Sequence, residues 1–415
     1  MLRKLGIFER ALLRSDQHLP FNVVGSLALE NPPPPEKVHT ALSLLQRRHP
    51  FLQARIVNQT FELLPNSILA FNVIQRQNDT QWMDIVENEM NTRLELSTGL
   101  FRVNYLYQDR RAELILTFHH AIIDATSGMN LINELISACT SELELPALEV
   151  TPAAEMRFPP AYQGWRGALA QMKYMAGQMG DEISYQWRMR GKRKAPVHLG
   201  GRGFINTMNL PESMVDKLSR GCRREKITLN SLLQAALMLA ANRVIYHSQA
   251  LPMRIVSFSD LRPYTIPPTS PVELGNYITM MRYTINASAD INLWQVAREI
   301  HAKIYHSLKS GEKFSAELLS ETLMKMMIRM KSARMAVTAI NYSGLVNLEM
   351  HYSDIRVLGL HAFNSSLDIG PEVGSQARLF NNQLIWDFMF LESDLGRESA
   401  AKIIKEVYSI LENTS

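Results

Sequence analysis

The stretch His119-His120-Ala121-Ile122-Ile123-Asp124-Ala125-Thr126-Ser127-Gly128 gathers two imidazoles, a carboxylate and a hydroxyl. A neutral imidazole is the natural general base near pH 7, provided a neighbour fixes which ring nitrogen carries the proton. The residues before it, Glu113-Leu114-Ile115-Leu116-Thr117-Phe118, are bulky or β-branched and read as a mostly buried strand. After it, Met129, Leu131, Ile132, Leu135 and Ile136 recur at helical spacing. The polar cluster therefore sits at a strand-to-helix turn. Neighbouring side chains on a strand point to opposite faces, so His119 and His120 cannot both look into one cleft. One is a candidate base and the other is structural. Asp124 can orient a ring or hold the turn by pairing with an arginine; a purely structural reading, a buried histidine pair beside a helix-capping aspartate, stands beside the catalytic one.

A chain of 415 residues is too long for one ordinary core and implies two lobes. Hydrophobic content of 46% with both charge signs describes a globular protein, and a net charge of only +4 argues against a general nucleic-acid binder. Cys139 and Cys222 make no zinc or redox spacing, which suits a reducing, cytoplasmic setting. Glu9 and Arg10 interrupt the first apolar run too early for a signal peptide, and no stretch approaches the ~20 apolar residues that span a bilayer. The composition is compatible with peripheral membrane contact.

Changes in periodicity divide the chain into a first lobe over 1–146, a linker or crossover segment over 147–202 and a second lobe over 203–415. Within the crossover, residues 162–187 have a helical pattern with Trp165, Leu169, Met172, Met175 and Met179 as its apolar set. In the second lobe a strand is expected over 204–210, helices over 211–220 and from Thr228 to Arg243, and a strand over 254–258. Strands alternate with helices in both halves, which indicates an α/β architecture.

The string His119-His120-x-x-x-Asp124 resembles the HHxxxDG motif of the superfamily that contains chloramphenicol acetyltransferase, condensation domains of nonribosomal peptide synthetases, plant BAHD acyltransferases and polyketide-associated (Pap-type) acyltransferases. Ser127 falls where condensation domains often have serine, and Ala125 stands in place of the usual glycine. Further segments are similar in order and spacing: Arg47-Arg48-His49-Pro50-Phe51-Leu52, then Asp260-Leu261-Arg262-Pro263 followed by Leu274-Gly275-Asn276-Tyr277, and near the end Asn341-Tyr342-Ser343-Gly344 and the strand around Trp386. The DLRP and LGNY strings place the resemblance closest to stand-alone Pap-type or alcohol acyltransferases.

That resemblance implies an α/β fold of two chloramphenicol acetyltransferase-like lobes meeting at a central active-site tunnel. It implies transfer of an acyl group from a coenzyme A or carrier-protein thioester to a hydroxyl, or an amine, with His120 as general base and no cofactor, because the thioester is already activated. Partners are then an acyl donor, carried by coenzyme A or by an acyl carrier protein, and a small-molecule or lipid acceptor. His119 becomes the packed partner of the base. A lone carboxylate beside a buried base is costly, so Asp124 is expected to pair with an arginine, Arg48 or Arg262. Ser127 either donates to the oxyanion or starts the helix. Asn341 and Gly344 form either a strand-end bend lining the ligand path or an ordinary loop. Trp386 is expected in the core.

His119 and Asp124 also satisfy the HxxxxD motif of membrane glycerolipid acyltransferases, but the second, glycine-rich motif of that family is missing. A metal site is disfavoured because adjacent strand histidines diverge and His301 and His306 are out of register for one helical face. The basic tract 188–194 and the methionine-rich segment 323–335, with Lys325, Arg329, Lys331 and Arg334, could attract a phosphopantetheine phosphate, an acidic carrier protein or anionic lipid, or could be solvated faces. An inactive condensation-like module that docks a carrier protein is the non-catalytic alternative.

Overall fold

A computed structural model of the chain describes residues 2–64, 69–141, 145–191, 200–287, 291–330, 334–365 and 369–414. Strands and helices form two compact units. The first comprises Met1–Arg157, Arg262–Tyr277 and Leu345–Ser365, and the second Phe158–Leu261, Ile278–Gly344 and Ser366–Ser415. The contiguous division at 146 and 203 is thereby replaced: two stretches of the expected second lobe belong to the first unit. The cause is strand pairing over long sequence distance. Ile355–Asn364 adds antiparallel to Asn22–Glu30, with Arg356 opposite Glu30 and Asn364 opposite Val23.

In the first unit a six-stranded sheet runs in the order His351–Tyr352, Ile355–Asn364, Asn22–Glu30, Arg111–His119, Phe101–Gln108, Phe71–Gln75. Arg111–His119 lies between two partners and is buried on both faces after its first residue, as its run of Leu114, Ile115, Leu116 and Phe118 requires. The helix Ala125–Thr140 follows. Leu131, Ile132, Leu135, Ile136 and Cys139 form its buried stripe, and it packs against the helix Pro35–Arg48.

The second unit has its own six-stranded sheet, ordered Ile278–Ala287, Leu251–Asp260, Thr338–Leu345, Val373–Phe380, Gln383–Leu391, Gly203–Leu210. The helix Leu229–Ile245, opened by Thr228 accepting the Ser231 N–H, is apolar nearly all round and buried in its core. Trp386 is fully buried there, stacked on Phe388. The helix expected over 162–187 forms as Gly164–Arg188, yet Trp165, Leu169, Met172 and Met179 of its apolar set face solvent. Of the basic tract, residues 192–194 lie outside the described residues, as does Lys331; the methionine-rich segment begins within the helix Glu312–Arg329. No helix among the described residues is long and apolar enough to cross a membrane.

Candidate active site

The site is built where Arg111–His119 ends. His119 is the last strand residue, opposite Asn22, and His120 starts the turn with its N–H on the Phe21 carbonyl. Both rings are buried. His119 Nδ1 accepts the Ala121 N–H at 3.2 Å, which fixes its proton on Nε2. Burial, with the neighbouring His120, pushes its pKa down to about 3. It is a neutral packing group.

His120 is held differently. Its Nδ1 lies 3.1 Å from the Ile123 carbonyl oxygen, which can only accept, so Nδ1 carries the proton. The Asn276 amide nitrogen also stands 3.2 Å from Nδ1, but it has a closer acceptor in the His120 carbonyl at 2.9 Å. Nε2 is then the unprotonated nitrogen, and its lone pair accepts the Asn364 amide N–H at 3.1 Å. The Phe21 ring packs against the imidazole with centroids 5.4 Å apart. Burial lowers the His120 pKa below the ordinary histidine value, against the Ile123 carbonyl and Asp124, which raise it. At neutral pH the ring is uncharged and basic at Nε2.

Asp124 does not spend its carboxylate on the ring. It is the N-cap of Ala125–Thr140: Oδ1 accepts both the N–H and the hydroxyl of Ser127 at 2.9 Å. Oδ2 accepts the Tyr277 N–H at 3.0 Å and the Arg262 guanidinium. Arg262 also donates to the Glu273 carbonyl at 2.9 Å and lies 4.9 Å from the Tyr277 ring centroid. Acid and arginine are both almost wholly buried, so each supplies the other's countercharge.

Of the two arginines considered for Asp124, the structure thus places Arg262 there. Arg48 instead meets Glu134 at 3.0 Å, beside His49, and joins Pro35–Arg48 to Ala125–Thr140. Ser127 has the helix-starting geometry, with its hydroxyl engaged by Asp124. Ala125 is the first residue of the helix and is not among the residues with positive φ, so this backbone does not demand glycine. Asn341 and Gly344 lie in the other unit on the strand Thr338–Leu345, where Asn341 donates to Gln376 at 3.3 Å and Gly344 adopts φ +70°. The side chains that meet His120 are Asn276 and Asn364, together with the packed Phe21 ring. Asn276 lies in the quoted LGNY string, and Gly275 before it, at φ +154°, leaves room for the Tyr277 ring that a Cβ would meet at 3.0 Å. Nothing local signals Asn364, which is 244 residues from His120. Among the described residues no group of three or more His, Cys, Asp or Glu side chains is placed to hold a metal.

The two sheet-rich units have the two-lobed fold of chloramphenicol acetyltransferase-like proteins and condensation domains. The chain is similar over its full length to polyketide synthase associated protein 5 from Mycobacterium tuberculosis, at TM-score 0.71 and 16% identity, covering 100% of this chain and 99% of that one. It is similar to trichothecene 15-O-acetyltransferase from Fusarium sporotrichioides at TM-score 0.77 and 11% identity, covering 99% and 94%. In sequence, residues 205–355 match the family model for the C-terminus of phthiocerol/phthiodiolone dimycocerosyl transferase. The enzyme of that name from Mycobacterium tuberculosis is 24% identical over 230 residues, 53% of each chain. The chain thus spans about half the length of the curated relatives it matches.

Proposed function

We propose that this chain is an acyltransferase that moves an acyl group from a coenzyme A or carrier-protein thioester to a hydroxyl, or less readily an amine, with His120 as general base. One observation carries the proposal: a buried, neutral His120 whose Nδ1–H is tied to Ile123, which leaves Nε2 as the basic atom. Names of the relatives, a dimycocerosyl transferase and a 15-O-acetyltransferase, support an oxygen acceptor of lipid, polyketide or secondary-metabolite type. Donors of this kind put the reaction in the cytoplasm.

In the proposed reaction Nε2 takes the proton of the acceptor hydroxyl as its oxygen bonds to the thioester carbonyl carbon. The tetrahedral oxyanion collapses with cleavage of the C–S bond, and the departing thiolate recovers the proton from the imidazolium. No covalent enzyme intermediate and no cofactor are needed. Asp124 and Arg262 act as positioning residues: they hold the turn and bring in the segment that carries Asn276.

The test is free-thiol release from a panel of acyl-coenzyme A and acyl-carrier-protein donors with pooled alcohols and amines, for wild type and His120→Ala together. Acceptor-dependent release that falls by a factor on the order of 10² to 10⁴ in the variant is expected. A folded variant with wild-type turnover overturns the role of His120. Thioester binding without release by wild type replaces this reading with the docking module.

A further inference from the structure

The helix Gly164–Arg188 turns its large apolar side chains outward. Trp165, Leu169, Met172, Met179, Ile183 and Trp187 are all exposed, the two tryptophans at 72% and 75%. Their spacing, with Ala176 filling the gap, makes one straight stripe along a helix of about 37 Å. The inner face is the polar one. Asp181 accepts the Thr284 hydroxyl at 2.9 Å, Glu182 meets the buried Arg254 at 2.8 Å, and the Tyr185 ring lies 3.6 Å from that guanidinium. This inverts the usual amphipathic helix of a globular protein, whose apolar stripe faces the core.

Charge on the outer face has one sign. Arg166 and Lys173 are exposed beside the stripe and Arg190 is exposed just past the helix end, whereas both acids of the helix, Asp181 and Glu182, are only partly exposed and are engaged in the contacts above. A second copy of the chain laid on this face would set cation against cation. A single helix also offers a ridge, not a groove that would grip a peptide. Apolar side chains flanked by lysine and arginine, with an indole at each end, match the interface of an anionic bilayer, where tryptophan favours headgroup depth.

We propose that the outer face of Gly164–Arg188 docks on an anionic lipid surface, with Trp165 and Trp187 seated at the headgroup boundary and Arg166, Lys173 and Arg190 facing lipid phosphates. This surface belongs to a different element from those that hold His120, and the proposal does not depend on acyl transfer.

The experiment is vesicle co-sedimentation of the full chain with phosphatidylcholine alone and with added phosphatidylglycerol, at low and high salt. Binding to the anionic vesicles that weakens with salt is expected. Each cation is worth roughly fivefold in affinity, so Arg166→Glu with Lys173→Glu reduces binding more than tenfold while circular dichroism is unchanged. Bromine-labelled phosphatidylglycerol quenches wild-type tryptophan emission, and that quenching disappears in Trp165→Phe with Trp187→Phe. A folded wild type that stays in the supernatant with anionic vesicles at low salt overturns the proposal, as does binding unaffected by these variants. A dimer in light scattering that Ile183→Glu dissociates would assign the face to a second copy instead.

Discussion

His119 and His120, adjacent in the chain, hold opposite tautomers: His119 Nδ1 accepts the Ala121 N–H at 3.2 Å, whereas His120 Nδ1 donates to the Ile123 carbonyl at 3.1 Å. Two identical side chains thereby take different parts. In His119 the acceptor nitrogen is consumed by the turn, and in His120 the acceptor nitrogen is the one turned to the Asn364 amide.

Acid should loosen this turn before it affects the rest of the first unit. Both histidines have folded pKa values below the ordinary 6.5, His119 at about 3, so the unfolded chain binds more protons as pH falls below 6.5. Their contribution to stability is complete above pH 6.5 and is lost as pH falls below it, for His119 down to about 3, by at most about 1.4 kcal/mol per pH unit for each proton. Urea melts from pH 7 to pH 4 on wild type and His119→Gln measure this. An equal pH slope for the two proteins would contradict it.

Asp124→Ala should destabilise the chain by about 3–5 kcal/mol, because it strands the Arg262 charge in the interior, and should also remove a helix cap worth about 1 kcal/mol. The pairing itself is read by a double-mutant cycle. Asp124 and Arg262 should show strong coupling, while Asp124 and Arg48, which has its own partner in Glu134, should be additive.

Asn364→Asp places a carboxylate where an amide now faces Nε2. An adjacent negative charge favours imidazolium, so the acid limb of the rate profile should move up by about 1–2 pH units. Asn364→Ala, which adds no charge, should leave that limb near its wild-type position. A purely structural asparagine would lower expression or Tm in both variants and move neither limb.

Ala125→Gly should leave the melting temperature nearly unchanged, within a shift worth about 1 kcal/mol, because the position is the first residue of a helix with ordinary backbone angles. Activity should change by no more than a few-fold. A gain of two orders of magnitude would mean that the alanine methyl group obstructs a substrate.

The sequence by itself determined the local parts. Apolar runs and helical spacing located Arg111–His119 and Ala125–Thr140, and Asp124 with Ser127 marked the helix start; the expected strand alternation does not reach His120, which begins the turn, and it is the turn's own contacts that set the two rings apart. Such features depend on residues within a few positions of each other, where backbone geometry leaves few choices. The Asp124 partner, the two asparagines on His120 and the membership of the first unit were decided only by the tertiary structure. They depend on a strand from residues 355–364 pairing with one from 22–30, and on the segment 262–277 closing over the turn. Helical periodicity likewise announced the apolar set of Gly164–Arg188 without saying which way it faced. Its direction was fixed by Asp181 and Glu182, whose ion pairs with buried Arg254 turn the polar face inward.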